Sequence, residues 1–202
     1  QAYAAAATNP TAVTTAITDY LTAKATRAAA PGALTPAQTA LLAAPRIPYN
    51  LDAWDGYPSN REALLQTIKA QNKKLVVLSG DSHNAWFANL TTLAGEKVGV
   101  EFATSSVTAP GFESVGLGSL ASSLDGSALV PQLGNAAIGA GLGLVDDLNY
   151  TDSNRRGYLL MTVTAQAVKG EFVFVSTVKS TTYTAAVGKT ITVPASGSVA
   201  YA

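Results

Sequence analysis

Cysteine is absent from the 202 residues, and histidine and methionine occur once each. Without a thiol, neither a disulfide framework nor thiolate metal ligation is available within this stretch. Charge is scarce and balanced, 13 Lys and Arg against 13 Asp and Glu. That balance gives no reason to expect nucleic acid as a structural partner or an anionic membrane surface. Long apolar runs are missing as well. The longest, Ile138 to Val145, is broken by glycines and too short for a membrane span. Alanine, threonine, serine, glycine and valine dominate instead. Small polar residues with little charge fit a secreted or periplasmic bacterial protein. The length suits one domain with a substantial core, or part of a larger one. Gln1 stands where an initiating methionine would, so a processed or truncated piece is expected.

Periodicity organises the first third. Val13, Ile17, Tyr20 and Leu21 recur at helical spacing, which predicts a helix to about Arg27. Pro31-Gly32 breaks it. Thr35 can cap a short second helix through Leu42, with Pro36 in its first turn. Pro45 and Pro48 lead into Tyr49-Asn50-Leu51-Asp52-Ala53-Trp54-Asp55-Gly56-Tyr57-Pro58, a loop dense in aromatic and acidic groups. Ser59 and Glu62 have the spacing of a capping box. The helix after it is expected to bury Leu64, Leu65 and Ile68 and to end near Gln71-Asn72.

Leu75-Val76-Val77-Leu78 follows, an apolar run that predicts a buried strand. It ends in Ser79-Gly80-Asp81-Ser82-His83-Asn84, with Gly80 as the expected pivot. Further strands are predicted at 85–93, 98–103, 158–164 and 172–178, with the best of the tail at 189–193. The glycine-rich middle, 112–148, shows weak helical stretches at 117–124 and 130–140.

Asp81 and the sole histidine, His83, stand at the carboxyl end of the expected strand, where α/β sheets hold ligands. Carboxylate and imidazole together suit zinc, iron or manganese, and carboxylate alone suits calcium or magnesium. Two ligands are too few, and Asp52 and Asp55 are the natural additions. The plainer alternative is a hydrogen-bonded turn histidine beside a turn-forming aspartate. Gly80-Asp81-Ser82 also matches the serine turn of one esterase family. That chemistry needs a histidine base, and the only one is the residue next to Ser82. Arg155-Arg156 precedes a strand and offers a phosphate clamp, or a turn paired with Asp152. Trp86, Phe87 and Phe102 read as core residues.

Four stretches together resemble a known family: 50–61 with its Trp-Asp-Gly-Tyr, 78–86 with Gly-Asp-Ser-His, 100–111 ending in Ala-Pro-Gly, and Arg155-Arg156-Gly157-Tyr158. Their order and rough spacing are those of PhoD-like alkaline phosphatases, within the calcineurin-like metallophosphatases. The resemblance implies an α/β fold, the C-terminal half of a four-layer α/β/β/α sandwich. Residues 1–47 would form a helical N-terminal segment and 48–202 the C-terminal half of the metallophosphatase domain. It implies phosphomonoester and phosphodiester hydrolysis by a metal-activated water. Asp81 and His83 would be the catalytic metal ligands, joined by Asp55 and Asp52, with Arg156 on the substrate. Calcium and iron are the implied ions, with zinc and manganese as alternatives. The family's earlier acidic motifs and its iron-binding cysteine have no counterpart here. The resemblance therefore implies that an N-terminal half, as a second chain or a missing segment, completes the centre. A non-catalytic binding module on the same fold is the rival expectation.

Overall fold

The computed structural model describes residues 9–44, 51–111, 145–196 and 200–201. The weak helices expected at 117–124 and 130–140 and the extended run at 45–50 lie outside them. Among the described residues, three α-helices, α1 (Pro10–Ala29), α2 (Pro36–Ala43) and α3 (Pro58–Ala70), precede the strands. The strands are β1 (Leu75–Ser79), β2 (Ala85–Thr91), β3 (Lys97–Ala103), β4 (Leu148–Asp152), β5 (Gly157–Val163), β6 (Ala167–Val175), β7 (Ala185–Pro194) and β8 (Ala200–Tyr201). They form two four-stranded sheets, ordered β1-β3-β2-β4 and β5-β6-β7-β8. The chain divides into two compact units. One comprises Gln1–Leu75, Asn89–Gly99 and Pro131–Asn149; the other comprises Val76–Ala88, Val100–Val130 and Tyr150–Ala202.

In the first unit, α1 runs to Ala29, as its periodicity predicts, with the Asn9 side chain capping Ala12 N. Ile17, Tyr20 and Leu21 of the pattern are half-buried, whereas Ala23 and Lys24 are fully enclosed. The Lys24 ammonium is neutralised by Asp146 and lies over the Tyr20 ring at 5.5 Å. A paired ammonium on a long apolar stem can be enclosed where a bare charge cannot. Thr35 caps α2, and Gln38 returns the bond to the Thr35 amide at 3.0 Å, a complete capping box.

The capping box expected at Ser59 does not form. Pro58 takes the first helical position, for which its fixed φ and missing N–H suit it, so α3 starts before Ser59 can cap. Glu62 instead accepts from Gln66 and from the Leu93 amide, and these bonds hold its carboxyl below the usual pKa. Arg61 donates to Thr91 O at 3.1 Å, and Lys69 pairs with Glu96. Three side chains thus tie α3 to the β2–β3 hairpin. Leu65 is buried and Ile68 half-buried, but Leu64 is exposed, contrary to expectation.

In the second unit two sheets face each other across one core. Ala85, Phe87, Val100 and Phe102 from β2 and β3 meet Phe172, Phe174, Ile191 and Val193 from β6 and β7. Phe87 and Phe102 lie 4.6 Å apart between ring centroids, and Tyr150 and Phe172 lie 5.1 Å apart. Alternation along β6 puts Phe172 and Phe174 inward, as the sequence implies. β5, β6 and β7 pair antiparallel, with a bulge between Phe172 and Val173. β4 was not expected; its five residues follow directly on the glycine-rich stretch and carry little apolar signal.

β1 is not the buried central strand its composition implies. It lies at one end of its sheet, and Leu78 is 58% exposed. Ser79 O accepts from Thr104 N at 3.0 Å, and Ser79 Oγ donates to Glu101 at 2.6 Å, anchoring its carboxyl end on β3.

Close packing leaves no room at Gly170, where an added Cβ would lie 2.4 Å from the Phe102 ring. Gly170→Ala is expected to lower stability by about 1–3 kcal/mol through overpacking. Adding Phe102→Leu should return part of that loss. Urea unfolding of the three variants checks both.

Candidate metal-binding turn

The turn after β1 is the most strained backbone among the described residues. Two non-glycine residues there have positive φ, Asp81 at 66° and His83 at 61°, and Asn72, before β1, has 52°. Asn72 follows the end of α3, a common place for left-handed asparagine. Asp81 and His83 have no such excuse. Ser82 N donates to Gly80 O at 2.8 Å, closing a three-residue turn around Asp81 in the rare, strained sense. Gly80 is not the pivot the sequence implies. A Cβ there would meet only Thr104 Cγ2 at an ordinary 3.4 Å, and the left-handed burden falls on its polar neighbours. Such conformations persist only where surrounding structure enforces them, and they concentrate at functional sites.

The enforcement can be traced. The His83 carbonyl accepts from Ser106 N at 3.2 Å and from Arg156 Nη1 at 3.3 Å. The imidazole Nδ1 faces Pro110 O at 2.6 Å. A carbonyl only accepts, so Nδ1 carries a proton, and in the neutral tautomer this selects, Nε2 is the lone-pair nitrogen. Metal-ligating histidines are commonly oriented in this way. Asn84 is fully buried and donates to Ser153 O at 2.6 Å. Trp86 Nε1 donates to Ser82 Oγ at 2.9 Å. That bond occupies Ser82, and Pro110 occupies the near nitrogen of the sole histidine.

The two arginines divide. Arg155 pairs with Asp152 at 2.5 Å and lies over the Phe174 ring at 4.0 Å. This is the acid-paired turn weighed from sequence. Arg156 is buried, and desolvation pulls its guanidinium below its ordinary pKa.

In the other unit, Asp52 accepts from Tyr57 OH at 3.2 Å. Asp55 lies 3.1 Å from Arg61 Nε without hydrogen-bond alignment, so that contact is electrostatic. Arg61 also lies over the Trp54 ring at 5.3 Å. Gly56 is required, because a Cβ would fall 2.0 Å from Leu51 O. Among the described residues, no group of three or more His, Asp or Glu side chains is gathered as a metal cage. Pro110, Asn84 and Ser106 were not singled out from sequence. Nothing local marks a carbonyl or an amide that acts on a residue more than twenty positions away.

The model of the PhoD-like phosphatase family matches residues 11–172. The chain belongs to that family. Alkaline phosphatase D of Bacillus subtilis (strain 168) is 40% identical over 68 residues, 31% of this chain and 12% of that protein. A solved structure of PhoD matches at a TM-score of 0.51 and 24% identity, over 72% of this chain and 25% of that one. That likeness supports the mixed α/β metallophosphatase-type fold. The chain spans a quarter or less of the length of both relatives.

The Asp55 end of the contact with Arg61 is exposed, at 65% accessible against 18% for Arg61. Exposed pairs contribute little. Asp55→Asn is therefore expected to change stability by less than about 1 kcal/mol. Thermal unfolding that shows a larger loss would make Asp55 a structural residue.

Proposed function

We propose that the chain forms part of a metal-dependent phosphoric ester hydrolase, with Asp81 and His83 as metal ligands at the end of β1. The carrying observation is the His83 ring, whose Nδ1 meets Pro110 O at 2.6 Å so that Nε2 is the lone-pair nitrogen. Family membership supports the reaction class. The donor chemistry fits: an imidazole and an exposed carboxylate, two residues apart on an enforced turn. When bound, a metal ion supplies positive charge for phosphate oxygens and an acidified water as nucleophile. This chain's residues do the rest. Asp81 contributes negative charge, His83 contributes a nitrogen whose aim is set by Pro110, and Arg156 supplies a desolvated cation toward the phosphate.

Calcium and iron are the proposed ions, with zinc and manganese as alternatives. Asp55 and Asp52 are proposed as further oxygen donors. The remaining ligands are proposed to come from an N-terminal half outside these residues. A phosphate ester is the substrate, and a periplasmic or secreted location is proposed. No helix among the described residues is long and apolar enough to cross a membrane. The serine-esterase alternative has lost support, since its one candidate base turns Nδ1 to a carbonyl and Ser82 Oγ accepts from Trp86.

In the complete protein carrying this chain, His83→Ala and Asp81→Asn should each lower phosphomonoesterase kcat/KM about a hundredfold or more. Ser82→Ala should leave it within a few-fold, and chelation should abolish activity until metal is restored. Near-normal rates in both ligand variants would sink the assignment; loss in Ser82→Ala alone would revive the esterase.

A further inference from the structure

The His83 ring is held by a carbonyl, and the next question is what holds the carbonyl. Pro110 leads directly into Gly111, which is buried. A Cβ at Gly111 would lie 2.6 Å from Asn84 Nδ2 and 2.8 Å from Asn84 Oδ1. The Asn84 amide thus packs on the Gly111 backbone at a distance only glycine allows. Asn84 is itself fully buried and fixed from the other side by Ser153 O at 2.6 Å. The chain from 83 to 84 and the chain from 110 to 111 therefore meet twice. One meeting is the imidazole on Pro110 O, and the other is the amide on Gly111.

We propose that Asn84 and Gly111 are positioning residues that lock the His83 imidazole in the Nδ1–H tautomer with Nε2 as the donor nitrogen. The amide seats Gly111, the seated glycine fixes the Pro110 carbonyl, and the carbonyl selects the tautomer. The value of this lock rests on the proposed role of His83 as a ligand. Its geometry does not depend on metal, and it can be read without any. Ser106 supports the same loop: its Oγ accepts from Thr108 N at 3.2 Å and Ala109 N at 2.7 Å. That keeps residues 106–109 folded up to Pro110, so the amide at 84 acts on a short, already ordered segment.

The sequence holds a single histidine, so a histidine-specific 15N label reports on His83 alone. Two-bond proton–nitrogen NMR of the metal-free 202-residue chain distinguishes a protonated Nδ1 from a protonated Nε2. The unsubstituted chain should show one tautomer, Nδ1–H. Gly111→Ala and Asn84→Ala should each convert it to a mixture containing the Nε2–H form, while the far-ultraviolet spectrum and a cooperative thermal transition are retained. An Nε2–H imidazole in the unsubstituted chain overturns the proposal. So does an unchanged Nδ1–H form in either folded variant. If Gly111→Ala fails to fold, Asn84→Ser, which shortens the amide without adding bulk, takes its place under the same criteria. The functional reading is tested separately. A normal phosphatase rate in His83→Ala would remove the ligand role and leave the lock standing, whereas a missing tautomer preference would remove the lock and leave the ligand role standing.

Discussion

The contact between the Phe102 ring and the bare backbone of Gly170 governs the second unit. Phe102 sits on β3 among Phe87, Phe172 and the other inward side chains of the two sheets. A sheet pair normally packs about 10 Å apart, and a phenylalanine facing a glycine fills that gap with one large group and none opposing it. Burying such a ring is worth roughly 1.5–3 kcal/mol. With Phe102 seated, β3 is fixed, and the bonds from Ser79 to Thr104 and Glu101 fix the end of β1 against it. The turn at 80–84 is thus hung from a rigid edge. A site that must hold side chains to fractions of an ångström gains from being built on such an element.

Strain at that turn is offset locally. Left-handed backbone at a non-glycine residue costs about 1–3 kcal/mol each. Against two such residues stand the Ser82–Gly80 bond, two bonds to the His83 carbonyl and the imidazole contact with Pro110. Neutral bonds contribute about 0.5–1.5 kcal/mol and a bond from a guanidinium about 1.5–3. The sums are of the same order, so the conformation needs all of them together. This explains why the partners come from three separate stretches, 104–111, 153–157 and the turn itself. No short segment could enforce two left-handed residues alone.

Much of this was legible from local pattern. The strand before the turn, the core placement of Phe87 and Phe102, the cap at Thr35 and the acid pair of Arg155 all follow from residue type and spacing. What misled was competition between signals that are each locally sound. Ser59 and Glu62 spell a capping box, but Pro58 starts the helix one residue too soon for it. Leu75 to Leu78 spells a strand buried on both faces, yet pairing places it at a sheet edge. Gly80 was the obvious pivot, yet Asp81 and His83 adopt the demanding angles. Lys24 breaks an apolar pattern and is enclosed all the same, because Asp146, more than a hundred residues on, neutralises it. β4 lacks an apolar run to announce it. Except at Pro58, which stands beside Ser59, the deciding partner is distant in sequence, and local propensity carries no record of it.

Arg155 and Arg156 show how one register position separates two identical side chains. Successive residues entering a strand face opposite ways. Arg155 reaches Asp152 and the Phe174 face, a neutralised and half-exposed setting. Arg156 turns inward beneath the His83 carbonyl and loses its water. A desolvated cation raises the local affinity for anions, because each charge interaction is stronger where solvent is excluded. A lysine there would keep the charge but lose the planar fork. The same guanidinium thus belongs both to the bracing of the turn and to the proposed phosphate-facing side of the site. In the proposed site, charge placed this way would draw a phosphate group toward Asp81 and His83, whereas the carboxylate alone would repel it. In that reading, a turn carrying an acid and an imidazole relies on the buried arginine beside it before any metal is bound.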